Sequence, residues 1–315
     1  MMYLFALAFS FLLVVLLVPL VRMLAIRIGF VDRPTRRKIH AHPVPLSGGI
    51  AIYIGVIVTA YLFTRDIQLF RAIAVGGGLL VVTGIADDAF KAYQREFPVW
   101  PRLIIYTLVS LIPVWYGIRI AGVSSPSSSS MILFSPGWSL FFTVIWVFAL
   151  INMMNFIDGI DGLASGICVI SSLTLFIVSM IGFQEVTGMI ALTLAGSCLA
   201  FLTYNFHPAR IFMGDAGATF LGYTLAVTAI EGTLKGATFV SLLVPVLALG
   251  VPILDTAIVF TRRLIEGKGL HRADNLHTHH SLMKWGLTQV QTVSFLYLIA
   301  AVFALMSIVV MLMLH

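Results

Sequence analysis

Asp87 and Asp88 stand side by side, with Lys91 three residues further on. Adjacent carboxylates repel one another, and a nearby cation relieves the strain. The apolar run from Leu79 to Ile85 delivers the pair to a boundary where a metal or a basic group would meet it. The string NMMNFIDGIDGLA carries Asn152, Asn155, Asp158 and Asp161. Asn152 and Asn155 share a face if the segment is helical, while Gly159 and Gly162 let the backbone break and approach a ligand closely. A tight turn between two helices needs only one or two such residues, and four hydrogen-bonding side chains at spacings of three point to binding. In YNFHPARIFMGDAGATFLG, Asn205, Arg210 and Asp215 precede an apolar run. There Asp215 fits a helix cap and a magnesium ligand equally well.

A later segment carries His271, Arg272, Asp274, Asn275 and then HTHH, with His277, His279 and His280 in four residues. Zinc would want cysteines nearby or a helical pair of histidines four residues apart, and neither is present. Arg262, Arg263 and Arg272 in the same stretch favour phosphate, whose oxygens suit arginine forks. The first polar segment, DRPTRRKIHAHPVPLSGG, reads as basic residues at a membrane surface, although His40, His42, Pro43, Pro45, Gly48 and Gly49 suggest a shaped loop. Asp255 stands apart inside an apolar run, and an intramembrane carboxylate is a functional candidate by default.

The elements that must position these groups are membrane helices. The chain has 315 residues, 60% hydrophobic and 10% charged, with a mean hydropathy of +1.04. A soluble domain carries about 25% charged residues, so a bilayer is the solvent that explains the excess. The apolar runs are continuous rather than alternating, which favours helices over an outer-membrane barrel. The expected fold is an all-α polytopic membrane protein of about ten spans, as one integral membrane catalytic domain over 1–315. The spans are 3–21, 46–64, 71–86, 102–120, 138–154, 163–182, 187–204, 216–231, 238–260 and 290–312, the third, fifth and eighth being short. The first run has no basic leader and no small-residue cleavage site, so it reads as a span rather than a signal peptide.

With the loop after the first span in the cytoplasm, fifteen of the basic residues lie on that side against four outside, and both termini lie outside. Ten of the acidic residues and seven of the histidines share the cytoplasmic side. Acidic residues contribute little to topology, so their gathering points to function. The net charge of +6 follows from the same bias and gives no sign of a nucleic-acid partner. Cys168 and Cys198 offer neither metal spacing nor a disulfide framework.

The strings DDAFK (87–91), NMMNFIDGIDGLA (152–164), NFHPARIFMGDAG (205–217) and HTHH (277–280), in this order and on one membrane face, resemble the polyprenyl-phosphate N-acetylhexosamine-1-phosphate transferase family. RKIHAHPVPLSGG (37–49) is a supporting match, and the resemblance covers nearly the whole chain. It implies an enzyme of the bacterial plasma membrane that depends on magnesium, with manganese as an alternative ion. Such an enzyme moves a sugar-1-phosphate from a UDP-sugar onto undecaprenyl phosphate and releases UMP. The spaced HTHH is similar to the branch that uses UDP-N-acetylglucosamine. Peptidoglycan-precursor translocases of the same family carry adjacent histidines and take a UDP-muramyl pentapeptide.

By this resemblance Asp215 ligates the metal with Asn155, and Asn152, Asp158, Asp161 and Asn205 surround the nucleotide. Asp87 and Asp88 serve the lipid phosphate or act as general base, and Lys91 holds a phosphate. Arg272, His277, His279 and His280 clamp the pyrophosphate. Direct attack and a covalent aspartyl intermediate both stay open, and a homodimer is compatible with the sequence. The rival from another class is a secondary transporter, whose polar groups would gather near the bilayer midplane. Here only Asp255 departs from the boundary.

Overall fold

Runs this apolar satisfy their backbones in lipid only as helices or closed barrels, and the chain is built almost wholly of helix. The computed structural model describes residues 1–32, 43–64, 66–93, 95, 97–124, 131–234, 243–265 and 277–314. Arg272, His40 and His42 fall outside the described residues. The helices are α1 (Met2–Arg27), α2 (Gly48–Phe63), α3 (Ile67–Ala92), α4 (Val99–Trp115), α5 (Pro136–Ile157), α6 (Leu163–Ile181), α7 (Glu185–Asn205), α8 (Gly214–Ala229), α9 (Leu243–Ala248), α10 (Gly250–Ile265), α11 (Thr278–Lys284) and α12 (Gln289–Leu314).

Among the described residues six helices, α1, α3, α5, α6, α7 and α12, are long and apolar enough to cross a bilayer. The chain is therefore a multi-pass, all-α membrane protein. Each of the other four expected spans also falls on helix, but on shorter pieces: α2, α4, α8, and the pair α9 and α10. The expected ninth span is interrupted near Leu249, between Pro245 and Pro252.

Two expectations need correcting. The third and fifth spans are not short: α3 has 26 residues and α5 has 22. Asp87, Asp88 and Lys91, beyond the end of the expected span 71–86, instead lie on the last turns of α3. The apolar pattern ends at Ala86, but the helix continues because partners on other helices satisfy its acidic end, as described below.

At the centre stands α8, all of whose residues are buried. A short π-helical turn, Ile230–Leu234, extends it. Helices α2, α3 and α5 pack around it. Lipid gives helices no hydrophobic reason to associate, so close packing of small residues must hold them. A Cβ on Gly84 of α3 would strike the backbone of Ala216, and one on Gly222 of α8 would strike the Leu150 carbonyl of α5. These close approaches bring the ends of α3, α5 and α8 together.

The chain entering α2 is tied to the same place. Val44–Pro45 pairs antiparallel with Val31–Asp32, and Leu46 bridges Phe212. Gly48 N–H donates to the Phe212 carbonyl at 2.9 Å and Gly49 N–H to the Met213 carbonyl at 3.0 Å, while Phe212 N–H donates to the Pro45 carbonyl at 2.9 Å. The Pro/Gly end of the first polar segment is thus a strap across the residues that lead into Asp215.

Candidate active site

Asp215 is the second residue of α8, after Gly214, whose φ of +70° suits glycine. The first turn of a helix has N–H groups with no intrahelical partner. Asp88 supplies one from α3: its Oδ1 accepts the Asp215 N–H at 3.0 Å and its Oδ2 accepts the Ala216 N–H at 3.4 Å. Asp88 is 1% exposed and both its oxygens are committed. The sequence left Asp215 open between cap and ligand. The cap is Asp88, from another helix, and the Asp215 carboxylate is free to face the site.

Around that carboxylate gather two cations. Lys91 Nζ lies 2.5 Å from Asp215 Oδ1, 3.7 Å from Asp88 Oδ1 and 3.8 Å from Asp87 Oδ1. Arg102, near the start of α4, places Nη1 3.2 Å from Asp87 Oδ2 and 3.9 Å from Asp215 Oδ2. The Asn155 amide, on the last turns of α5, also reaches the Asp215 carboxylate. Sequence reasoning credited Arg102 to membrane topology alone. No sequence signal set it apart, because the expected span began at residue 102 itself, whereas α4 begins at Val99 and carries Arg102 a turn inside the helix.

Among the described residues no three His, Cys, Asp or Glu side chains form a ready-made metal cluster. The donor set nonetheless suits a hard divalent cation. Asp87, Asp215 and Asn155 offer oxygens, the donors magnesium prefers. Asp215 Oδ2 is buried and accepts no hydrogen bond among the described residues.

The DGIDG turn after α5 is the second part of the site. Asp158, its first residue, is partly buried. Burial first, then the negative charges of Asp215 and Asp161, push its carboxyl up to about 7, against the pull of Lys91. The rest of the turn is fastened from several sides. Asp161 Oδ2 meets His207 Nδ1 at 2.8 Å and accepts the Ala209 N–H at 3.1 Å. Asn205, 3% exposed, accepts from Gly162 N–H and Ser165 Oγ, both at 3.1 Å, and donates to the Ile211 carbonyl at 3.0 Å. Tyr297 of α12 donates to the Gly162 carbonyl at 2.5 Å. Asp161 and Asn205 therefore join the two loops, while Asp158 is the carboxylate of this turn that senses the site. Asn152 donates to the Phe148 carbonyl of its own helix at 2.7 Å.

The histidine segment closes against this turn. His277 precedes α11, and His279 and His280 lie in it. The His277 ring stacks on His279 with centroids 5.7 Å apart and lies 5.7 Å from Phe156, next to Asn155. His279 is 1% exposed, and its Nε2 fills the space where a Cβ on Gly159 would stand. Burial, then His280, pushes His279 down to about 3, so it is a neutral imidazole; burial also lowers His280. The structure thus brings Asp87, Asp88, Lys91, Asn155, Asp158 and Asp215 into one cluster, with His277, His279 and His280 adjoining it through the turn.

Comparison with known proteins points the same way. The model of "Glycosyl transferase family 4" matches residues 70–233, the stretch that carries the carboxylate cluster and both loops. The chain is 37% identical to a probable undecaprenyl-phosphate N-acetylglucosaminyl 1-phosphate transferase of Bacillus subtilis, over 95% of this chain and 82% of that protein. It is 33% identical to a decaprenyl-phosphate N-acetylglucosaminephosphotransferase of Mycolicibacterium smegmatis, over 90% and 76%. With an undecaprenyl-phosphate alpha-N-acetylglucosaminyl 1-phosphate transferase of Escherichia coli it shares 28%, over 90% and 77%. Its membrane helices, its polar cluster at their ends and these similarities make the chain a member of glycosyl transferase family 4.

Proposed function

We propose that this protein transfers N-acetylglucosamine-1-phosphate from UDP-N-acetylglucosamine to undecaprenyl phosphate. An oxygen of the lipid phosphate forms a bond to the sugar-bearing phosphorus of the nucleotide. The bond from that phosphorus to the bridging oxygen breaks, and UMP leaves. The observation that carries the reading is the convergence of Asp87, Asp215, Lys91, Arg102 and Asn155 at the ends of four helices. The relatives named for N-acetylglucosamine-phosphate transfer support the sugar.

Both substrates are anionic, and catalysis of phosphoryl transfer is mostly positioning and charge stabilisation. Lys91 and Arg102 stand where incoming phosphate oxygens would need neutralising. Asp87, held by Arg102 rather than by backbone, orients the lipid phosphate. Asp88 works indirectly, by fixing the first turn of α8 and hence Asp215. Magnesium, bound through Asp215 with Asn155 beside it, would screen the negative charge shared by the two reacting phosphates. The histidines and Arg272 serve the diphosphate, and the site faces the cytoplasm, where UDP-sugars are found; the bias of basic residues supports that orientation.

The test is purified protein with undecaprenyl phosphate, magnesium and labelled UDP-N-acetylglucosamine. A lipid-linked N-acetylglucosamine pyrophosphate and one UMP per lipid are expected. Labelling only from UDP-muramyl pentapeptide would move the chain to the translocase branch, and substrate flux without UMP release would make it a transporter. In Asp215→Asn, UMP release should vanish while the detergent-solubilised protein keeps its elution volume. Normal turnover in that variant would remove Asp215 from the metal site.

A further inference from the structure

Asp255 lies on α10, outside the carboxylate cluster, and is 4% exposed. Each of its oxygens has a different task. Oδ2 stands 2.7 Å from His277 Nδ1, and Oδ1 accepts the Thr278 N–H at 2.7 Å. One carboxylate therefore holds both the ring of His277 and the backbone that starts α11. The surroundings are apolar: Ile157, Leu163, Val251, Leu254 and Ile258 line the space beside Asp255 and His279. In such surroundings an ionic hydrogen bond is stronger than in water. A buried carboxylate is costly unless it is paired, and capping alone would need only one neutral oxygen.

We infer that Asp255 is a positioning residue for the reaction, acting through His277, whose Nε2 it aims at the diphosphate of the sugar nucleotide. This rests on the transferase reading above. A carboxylate 2.7 Å from Nδ1 requires the proton on Nδ1, which leaves Nε2 as the ring nitrogen that Asp255 does not engage. A diphosphate offers only acceptors, so Nε2 must carry a proton as well, and the carboxylate stabilises the doubly protonated ring that results. The titratable groups that the described residues bring to His277 include Asp255 from α10 and His279 from α11, with His280 against His279. Arg262 of α10 is turned to Ser281 Oγ at 3.2 Å.

Asp255→Asn keeps an oxygen for the Thr278 N–H but turns an amide N–H toward His277 Nδ1. That forces the opposite tautomer and removes the charge. Loss of an outer partner of this kind costs about 10–100-fold at a metal-bound histidine, and a similar fall in kcat/KM is expected here. The decisive measurement is the double variant. If Asp255 acts through His277, adding Asp255→Asn to His277→Gln costs less than about twofold beyond His277→Gln alone. Losses that multiply would overturn the proposal, as would a well-folded Asp255→Asn with unchanged kcat/KM. A second readout needs no Asp255 variant: 15N spectra of histidine-labelled protein should contain a strongly hydrogen-bonded Nδ1–H that His277→Gln removes. Its absence from the native protein overturns the clamp even if Asp255→Asn fails to fold. Wild-type protein that releases no UMP while keeping this signal would defeat the transferase reading and leave the clamp standing.

Discussion

Two neighbouring carboxylates with unlike partners should fail in unlike ways when removed. Asp88 receives two backbone N–H groups inside the bundle, and Asp88→Ala would leave both without an acceptor. A buried unsatisfied donor costs about 1–3 kcal/mol, so this variant should melt at clearly lower temperature. Asp87 faces Arg102 and Lys91 instead. Asp87→Asn still offers an oxygen to Arg102, so it should melt much closer to the native protein than Asp88→Ala does. It should lose on the order of 10²-fold in UMP release, the cost of misplacing a reacting group. Thermal scans in detergent beside turnover assays separate the two; equal melting losses would erase the distinction. Asp158 provides a pH signature. Its carboxyl titrates near 7 in the folded chain and near about 3.9 when unfolded. As pH rises between these values the unfolded chain releases a proton that the folded chain keeps, so the group's contribution declines and then levels off above pH 7. Asp158→Asn should flatten that part of the stability profile, measured from pH 4 to 8. Residue types and spacings made most of this cluster readable. The partners were not: Asp88 meets α8 residues 127 and 128 positions away, and no local pattern encodes that. Arg102 escaped notice because a basic residue near a helix end already has an explanation in topology.

Helices were easier to place than to measure. The expected span 71–86 ends where the apolar run ends, whereas α3 extends to Ala92. Hydropathy reports which part of a helix touches lipid. The acidic turn beyond persists because Asp88 caps α8 and because Asp87 and Lys91 are paired. In the same way, the uninterrupted apolar run at 238–260 concealed the separation of α9 from α10. Helix contact at Gly84 sets how near the Asp87 turn stands to Asp215. Gly84→Val would push α3 away from Ala216. Overpacking costs about 1–3 kcal/mol, and turnover should fall at least tenfold although Gly84 lies outside the cluster. Turnover that stays normal in folded Gly84→Val protein would show that this contact does not set the spacing.

For the molecule as a whole, composition sufficed for the solvent and the class of fold, and the asymmetry of charge sufficed for an orientation that can be tested directly. Gln184, between α6 and α7, and Trp285, just after α11, are both exposed and are expected on opposite faces. In a background with Cys168 and Cys198 changed to serine, Gln184→Cys should react with an impermeant maleimide on intact cells. Trp285→Cys should react only after the membrane is opened. The reverse pattern would invert the orientation.

The ammonium of Lys91, set among three carboxylates, has a consequence for the resting protein. Acidic groups buried so near one another would otherwise drive the helix ends apart, yet here they come with counter-charge from their own chain. Assembly in the membrane therefore need not await a divalent ion or a nucleotide. The helix ends can thus stay together whether the site between them is filled or empty.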